Sequence, residues 1–108
     1  MDRLSAVMKR LEATIAARKG ADPSTSYTAK LLSEGPARAA KKLGEEAAET
    51  LIAAAQNDPE ALAAESADLI YHWLVLLAAS GVSTDAVAER LEAREGKSGL
   101  EEKASRNP

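Results

Sequence analysis

The stretch "NDPEALAAESADLIYHWLVLLAASG", residues 57–81, decides the fold. Asp58 suits a helix cap, and Pro59 suits a first helical turn, where a missing N–H costs nothing. Gly81 suits the exit. Nothing between them breaks a helix, so one is expected over 59–80. Its second half is apolar nearly all round: Leu69, Ile70, Trp73, Leu74, Val75, Leu76 and Leu77. A helix apolar on every face is buried on every face. A chain of 108 residues buries a modest core, so a second copy is expected to cover one side. Yet Glu65, Asp68 and His72 interrupt this surface, within roughly 60° of one another on the helical wheel. A carboxylate entering an apolar region is costly unless it is paired or bound to a cation.

The segment before it, "GPARAAKKLGEEAAETLIAAAQ" (35–56), is expected to form a helix over 36–56 that opens on Pro36. Glu45, Glu46 and Glu49 span roughly 100° of one face, with Lys42 inside that arc and Arg38 one turn back. The "NDP" break is short, so the two helices should fold back on each other as an antiparallel hairpin. That brings the two acidic faces together. Elsewhere, Leu4, Val7, Met8, Leu11 and Ile15 recur at helical spacing and predict a helix over 3–19. "GADPSTS" (20–26) reads as a loop, and "YTAKLLSEG" (27–35) as a short helix closed by Gly35. "STDAVAERLEARE" predicts a last helix over 84–95. The remainder, 96–108, is a polar tail expected to be mobile unless a ligand or partner holds it. The expected fold is an all-α helical bundle, residues 1–95, with a central antiparallel hairpin completed by oligomerisation.

Composition removes several classes of function. A net charge of −3 argues against nucleic-acid binding, which needs a basic surface. The absence of cysteine excludes disulfides, thiolate zinc sites and a cysteine nucleophile. The amphipathic N-terminus lacks the apolar core of a signal peptide. The run "LIYHWLVLLAAS" is about half of a membrane span. A cytoplasmic protein without a membrane partner is therefore expected.

Glutamate-rich helix faces are commonly just solvated, and Lys42 with Glu46 would make an ordinary i,i+4 pair. The acids embedded in the apolar helix shift the reading toward a site. Four or five carboxylates with few local cations repel one another, so they should bind a metal or carry raised pKa values. All the donors are oxygen, which suits magnesium or manganese, with coordination positions left for water and substrate phosphates. His72, one turn after Asp68, would either hydrogen-bond that carboxylate or orient a ligand.

"EExxE" (Glu45, Glu46, Glu49) followed by "ExxD" (Glu65, Asp68) resembles the signature of the MazG-type all-α nucleotide pyrophosphohydrolases. "SYTAKLL" (26–32), "ESADLIYHWLVLL" (65–77) and "GKSGLEEKASR" (96–106) resemble more narrowly the phosphoribosyl-ATP pyrophosphohydrolases of histidine biosynthesis. The likeness spans residues 4–106. It implies hydrolysis of phosphoribosyl-ATP to phosphoribosyl-AMP and pyrophosphate. It also implies Mg2+ (or Mn2+) held by Glu46, Glu49, Glu65 and Asp68, with Glu45 or Glu49 activating a water. Arg38 and Lys42 share the acidic face and could grip phosphates; His72 is counted with them. By the resemblance alone, Lys30 and the run Ser26–Tyr27–Thr28 meet the substrate, and Lys97 and Arg106 in the tail close over its phosphates. A homodimer or dimer of dimers is implied, and the cyclohydrolase that acts next is expected on another protein. The alternatives are a house-cleaning pyrophosphohydrolase of the same superfamily acting on nucleoside triphosphates, and a non-catalytic helical dimerisation module.

Overall fold

The computed structural model describes residues 2–96 and 99–106. They form α1 (Arg3–Ala17), α2 (Tyr27–Glu34), α3 (Pro36–Ala55), α4 (Pro59–Ala79), α5 (Thr84–Glu92) and α6 (Gly99–Arg106), with no strand among the described residues. Local chemistry explains the starts. The side chains of Asp2, Ser26, Asp58 and Ser83 each accept a hydrogen bond from a first-turn backbone N–H of the helix that follows. Pro36 and Pro59 occupy first helical positions. Gly35, at φ 89°, ends α2 and opens α3 in one residue, a left-handed corner that favours glycine. Asn57, at φ 55°, makes the turn between α3 and α4. Asparagine tolerates that conformation better than most residues.

The expected helices are present with shorter C-terminal ends. The tail differs: residues 99–106 are helical, where a mobile polar segment was expected. Its sequence carries no breaker after Gly99, and Lys103 and Arg106 lie in its last turn, where they complement the helix dipole.

The α3–α4 contact is the most extensive between helices. Alanine allows the close approach, and Ala53 is only 5% exposed there. Thr50 fastens the pair: its hydroxyl lies 2.8 Å from the Glu46 carbonyl on its own helix and 3.3 Å from the Glu65 carbonyl on α4. The core combines Ile15, Leu31, Ala39, Leu74 and Val75, drawn from α1 to α4. α5 is tied to α1 at its N-terminus. The Glu12 carboxylate accepts from the Thr84 N–H (3.0 Å) and the Thr84 hydroxyl (2.8 Å), and Lys9 pairs with Asp85 at 3.3 Å.

The expectation that α4 is covered on every face is not met within one chain. Only His72, Leu74 and Val75 of this helix are buried, and the rest of its apolar second half is half-buried. Leu51 and Ile52 on α3 are 70% and 55% exposed. The radius of gyration is 15.8 Å, against about 13 Å for a compact domain of this length. The physical reason is thickness: a few helices of one chain shield one side of α4 and leave the other open. By length and composition α4 could cross a membrane (21 residues, hydropathy 1.3), because alanines extend its apolar run beyond 69–80.

Ile15 is fully enclosed where α1 meets α4. Ile15→Ala should cost about 2–5 kcal/mol of stability, read from the urea midpoint at unchanged m-value.

Candidate active site

Helical spacing places Glu46 and Glu49 one turn apart on α3, and the α3–α4 packing brings Glu65 against them. One carboxylate oxygen from each lies within 4.8 Å of the others. Among the described residues, no lysine or arginine forms an ion pair with any of these three. The Glu65 Oε2 atom is buried and has no hydrogen-bond partner. Desolvation, and then the negative charges of Glu49, Asp68 and Glu46, push the Glu65 carboxyl above the usual glutamate range. This is the environment that a bound cation would relieve. Three hard oxygen donors with one orphaned acceptor fit a divalent ion such as magnesium.

Asp68, expected as the fourth ligand, is exposed and outside the 4.8 Å group, but its charge acts on Glu65. Glu45 is not part of the group. Its Oε2 pairs with the Lys42 ammonium at 3.0 Å. The hydrogen bond holds Glu45 below the usual carboxylate range and raises Lys42. The expected Lys42–Glu46 pairing is therefore replaced by Lys42–Glu45, three residues apart rather than four. Arg38 makes only a long contact, 3.9 Å, with Glu34. Lys30 is exposed on α2. Arg106 is exposed on α6, a separate helix from the acids, and Lys97 lies outside the described residues.

His72 corrects another expectation. It bonds Asp68 through the backbone carbonyl (Nδ1 to O, 2.8 Å), not through the carboxylate. In a helix that carbonyl lies directly under the side chain four residues later, while the Asp68 carboxylate points outward. Sequence reasoning also missed what surrounds His72. The Tyr27 hydroxyl is 3.4 Å from His72 Nε2, and the Thr28 hydroxyl is 2.6 Å from the Tyr71 hydroxyl. Tyr71 and His72 meet edge to face with centroids 4.9 Å apart. No spacing rule signals these contacts, because 43 and 45 residues separate the partners.

Comparison with known proteins bears on this arrangement. Residues 8–95 match the family described as phosphoribosyl-ATP pyrophosphohydrolase. The chain belongs to that family. It is 73% identical over 104 residues to the phosphoribosyl-ATP pyrophosphatase of Caulobacter vibrioides (strain NA1000 / CB15N), covering 96% of each chain. It is 61% identical over 98 residues to the phosphoribosyl-ATP pyrophosphatase of Methylobacterium radiotolerans, covering 91% of this chain and 92% of the relative. The span matched to the phosphoribosyl-ATP pyrophosphohydrolase family contains all five acids and leaves Lys97 and Arg106 beyond its end.

The raised Glu65 carboxyl sets a pH dependence. A carboxyl whose pKa is higher folded than unfolded favours folding below its unfolded pKa. That advantage is lost as pH rises through the folded pKa. Without divalent ions, Glu65→Gln should melt increasingly above the parent protein as pH rises from about 4 to about 8. The difference should shrink on adding magnesium, which stabilises only the parent. Thermal melts at a series of pH values check this.

Proposed function

We propose that the chain hydrolyses phosphoribosyl-ATP to phosphoribosyl-AMP and pyrophosphate, a step of histidine biosynthesis, at the carboxylate cluster of α3 and α4. The observation that carries this is the unpartnered Glu65 oxygen among three clustered carboxylates, in a chain of this family. Glu46, Glu49, Glu65 and Asp68 would hold Mg2+, with Mn2+ as a substitute. When bound, the ion supplies positive charge to the phosphate oxygens as the pyrophosphate departs.

The chain's own groups divide the remaining work. Water is the nucleophile, and Glu49 orients it and accepts its proton. Glu49 is preferred to Glu45 because the Lys42 ammonium lowers the basicity of Glu45. The new P–O bond forms at one phosphorus of the anhydride, and the bridging P–O bond breaks. Lys42 and Arg38, on the same helix one and two turns before Glu46, grip the phosphates, and Lys30 adds charge from α2. His72 serves the substrate from behind Tyr27. Lys97 and Arg106 complete the phosphate contacts from the tail 96–108, which follows the catalytic unit 1–95.

α3 and α4 form an antiparallel hairpin, and a second copy covers the open side. Exposed Leu51 and Ile52 and the half-buried second half of α4 support that reading. The assembly is a homodimer or a dimer of dimers. The partner in function is a small nucleotide, not a nucleic acid or a membrane, and the location is cytoplasmic.

Pyrophosphate release from phosphoribosyl-ATP should require magnesium and stop with a chelator. Glu49→Gln should lower kcat by about 10²–10⁴-fold with helix content unchanged by circular dichroism. Glu45→Gln should cost less than about fivefold, the scale of one exposed charge pair. Equal losses in the two variants would sink the assignment of the base.

A further inference from the structure

We propose that Thr50 is a positioning residue of the acid site: its hydroxyl sets the spacing of α3 and α4 at which Glu46, Glu49 and Glu65 converge on a small divalent cation. The inference rests on the metal-binding reading of those carboxylates.

A threonine inside a helix commonly donates its hydroxyl to the carbonyl four residues earlier. Thr14 does so in α1, at 3.0 Å from the Arg10 carbonyl. Thr50 makes the same local bond to the Glu46 carbonyl at 2.8 Å. Its hydroxyl also lies 3.3 Å from the Glu65 carbonyl, 15 residues away on α4. A hydroxyl has one proton, so the two carbonyls share it, and it ties the two backbones at that level. The level is that of the acids. Both carbonyls belong to members of the carboxylate cluster, and the third member, Glu49, directly precedes Thr50. One half-buried side chain thus touches or adjoins the backbone of all three.

Spacing matters because the donors come from two helices. α3 fixes Glu46 and Glu49 relative to each other, but Glu65 belongs to α4. One carboxylate oxygen from each lies within 4.8 Å of the others. Magnesium binds oxygen at about 2.1 Å in a strict octahedron, so two oxygens across it stand about 4.2 Å apart. Calcium binds at about 2.4 Å with looser geometry, and its opposite oxygens stand about 4.8 Å apart. A slightly wider helix pair would therefore still suit calcium and would fit magnesium poorly. Alanine permits the close approach of α3 and α4, whereas a directional bond fixes it at one level. No hydrogen bond holds the Glu65 Oε2 atom itself, so its place is set from the backbone side.

The test uses the full chain and the metal alone, with the melting temperature followed against Mg2+ and against Ca2+ concentration. Thr50→Val keeps the shape of the side chain and removes the hydroxyl. It should weaken apparent Mg2+ affinity by about five- to tenfold, the scale of one hydrogen bond, and move Ca2+ affinity by less than about twofold. Thr50→Ser keeps the hydroxyl and should bind Mg2+ within about twofold of the parent. Ala53→Gly weakens α3 at the same interface and leaves the bond alone. It should lower the metal-free melting temperature and keep both affinities within about twofold. In phosphoribosyl-ATP hydrolysis, Thr50→Val should need about five- to tenfold more Mg2+ for half-maximal rate, with kcat at saturating Mg2+ within about twofold. Unchanged Mg2+ affinity in Thr50→Val would overturn the proposal and leave the metal site standing. Equal losses for the two ions, an equal loss in Ala53→Gly, or lost helix content in Thr50→Val would do the same, by reducing Thr50 to helix packing. A parent chain whose melting responds to neither ion would remove the metal site, and the role of Thr50 with it.

Discussion

Glu65 carries an oxygen that has left water without gaining a donor, and the rest of the site is arranged around that constraint. It persists because the α3–α4 interface is fixed by forces that do not involve the carboxylate. Alanine side chains let the two backbones come close, and the Thr50 hydroxyl spans the pair next to the Glu46 and Glu65 carbonyls. The core at Ile15, Leu31, Ala39, Leu74 and Val75 then holds α4 from the other side. The helices are thus locked with the acids facing one another, and the electrostatic penalty falls on one group. A bound cation, as proposed for this site, would convert that penalty into binding energy.

Charge is sorted along α3. Arg38 and Lys42 precede the acids, Glu45 neutralises Lys42, and Glu46 and Glu49 follow facing α4. This order gives the site a cationic edge beside an acidic centre. A polyphosphate needs both, an ion at the bond that breaks and fixed positive charge for the group that leaves. The aromatic and hydroxyl contacts of α2 with Tyr71 and His72 fasten α2 to α4, the helix that carries Glu65 and Asp68.

The same thinness that exposes the site exposes apolar surface. α4 is too hydrophobic for one chain of this size to cover, and Leu51 and Ile52 of α3 are exposed as well. The excess radius of gyration expresses the same shortage of layers. The second copy proposed above would cover this face, since symmetry supplies a matching apolar surface.

Much of this was legible in the sequence. Asp58, Pro59, Pro36 and Gly35 announce the helices because capping and φ constraints act over three or four residues. The apolar run of α4 and the acids within it announce a charged site, and their spacing carries the family resemblance. The helical tail at 99–106 was not foreseen, because a polar segment that follows two glycines has no apolar period to read. Glu45 and Glu46 stand at the two ends of the same arc of roughly 100° on the wheel, and acid spacing alone does not rank them. Only the packing of α3 on α4 separates them, turning Glu46 toward Glu65 and leaving Glu45 to Lys42. His72 likewise could have reached the Asp68 carboxylate, but the structure gives it the carbonyl below and Tyr27 from a helix 45 residues away. Caps, periods and acid spacing are short-range properties, so the sequence by itself determined them. Which oxygen loses its water, and which side chain faces which, depends on contacts between distant residues, and the tertiary structure alone decided those.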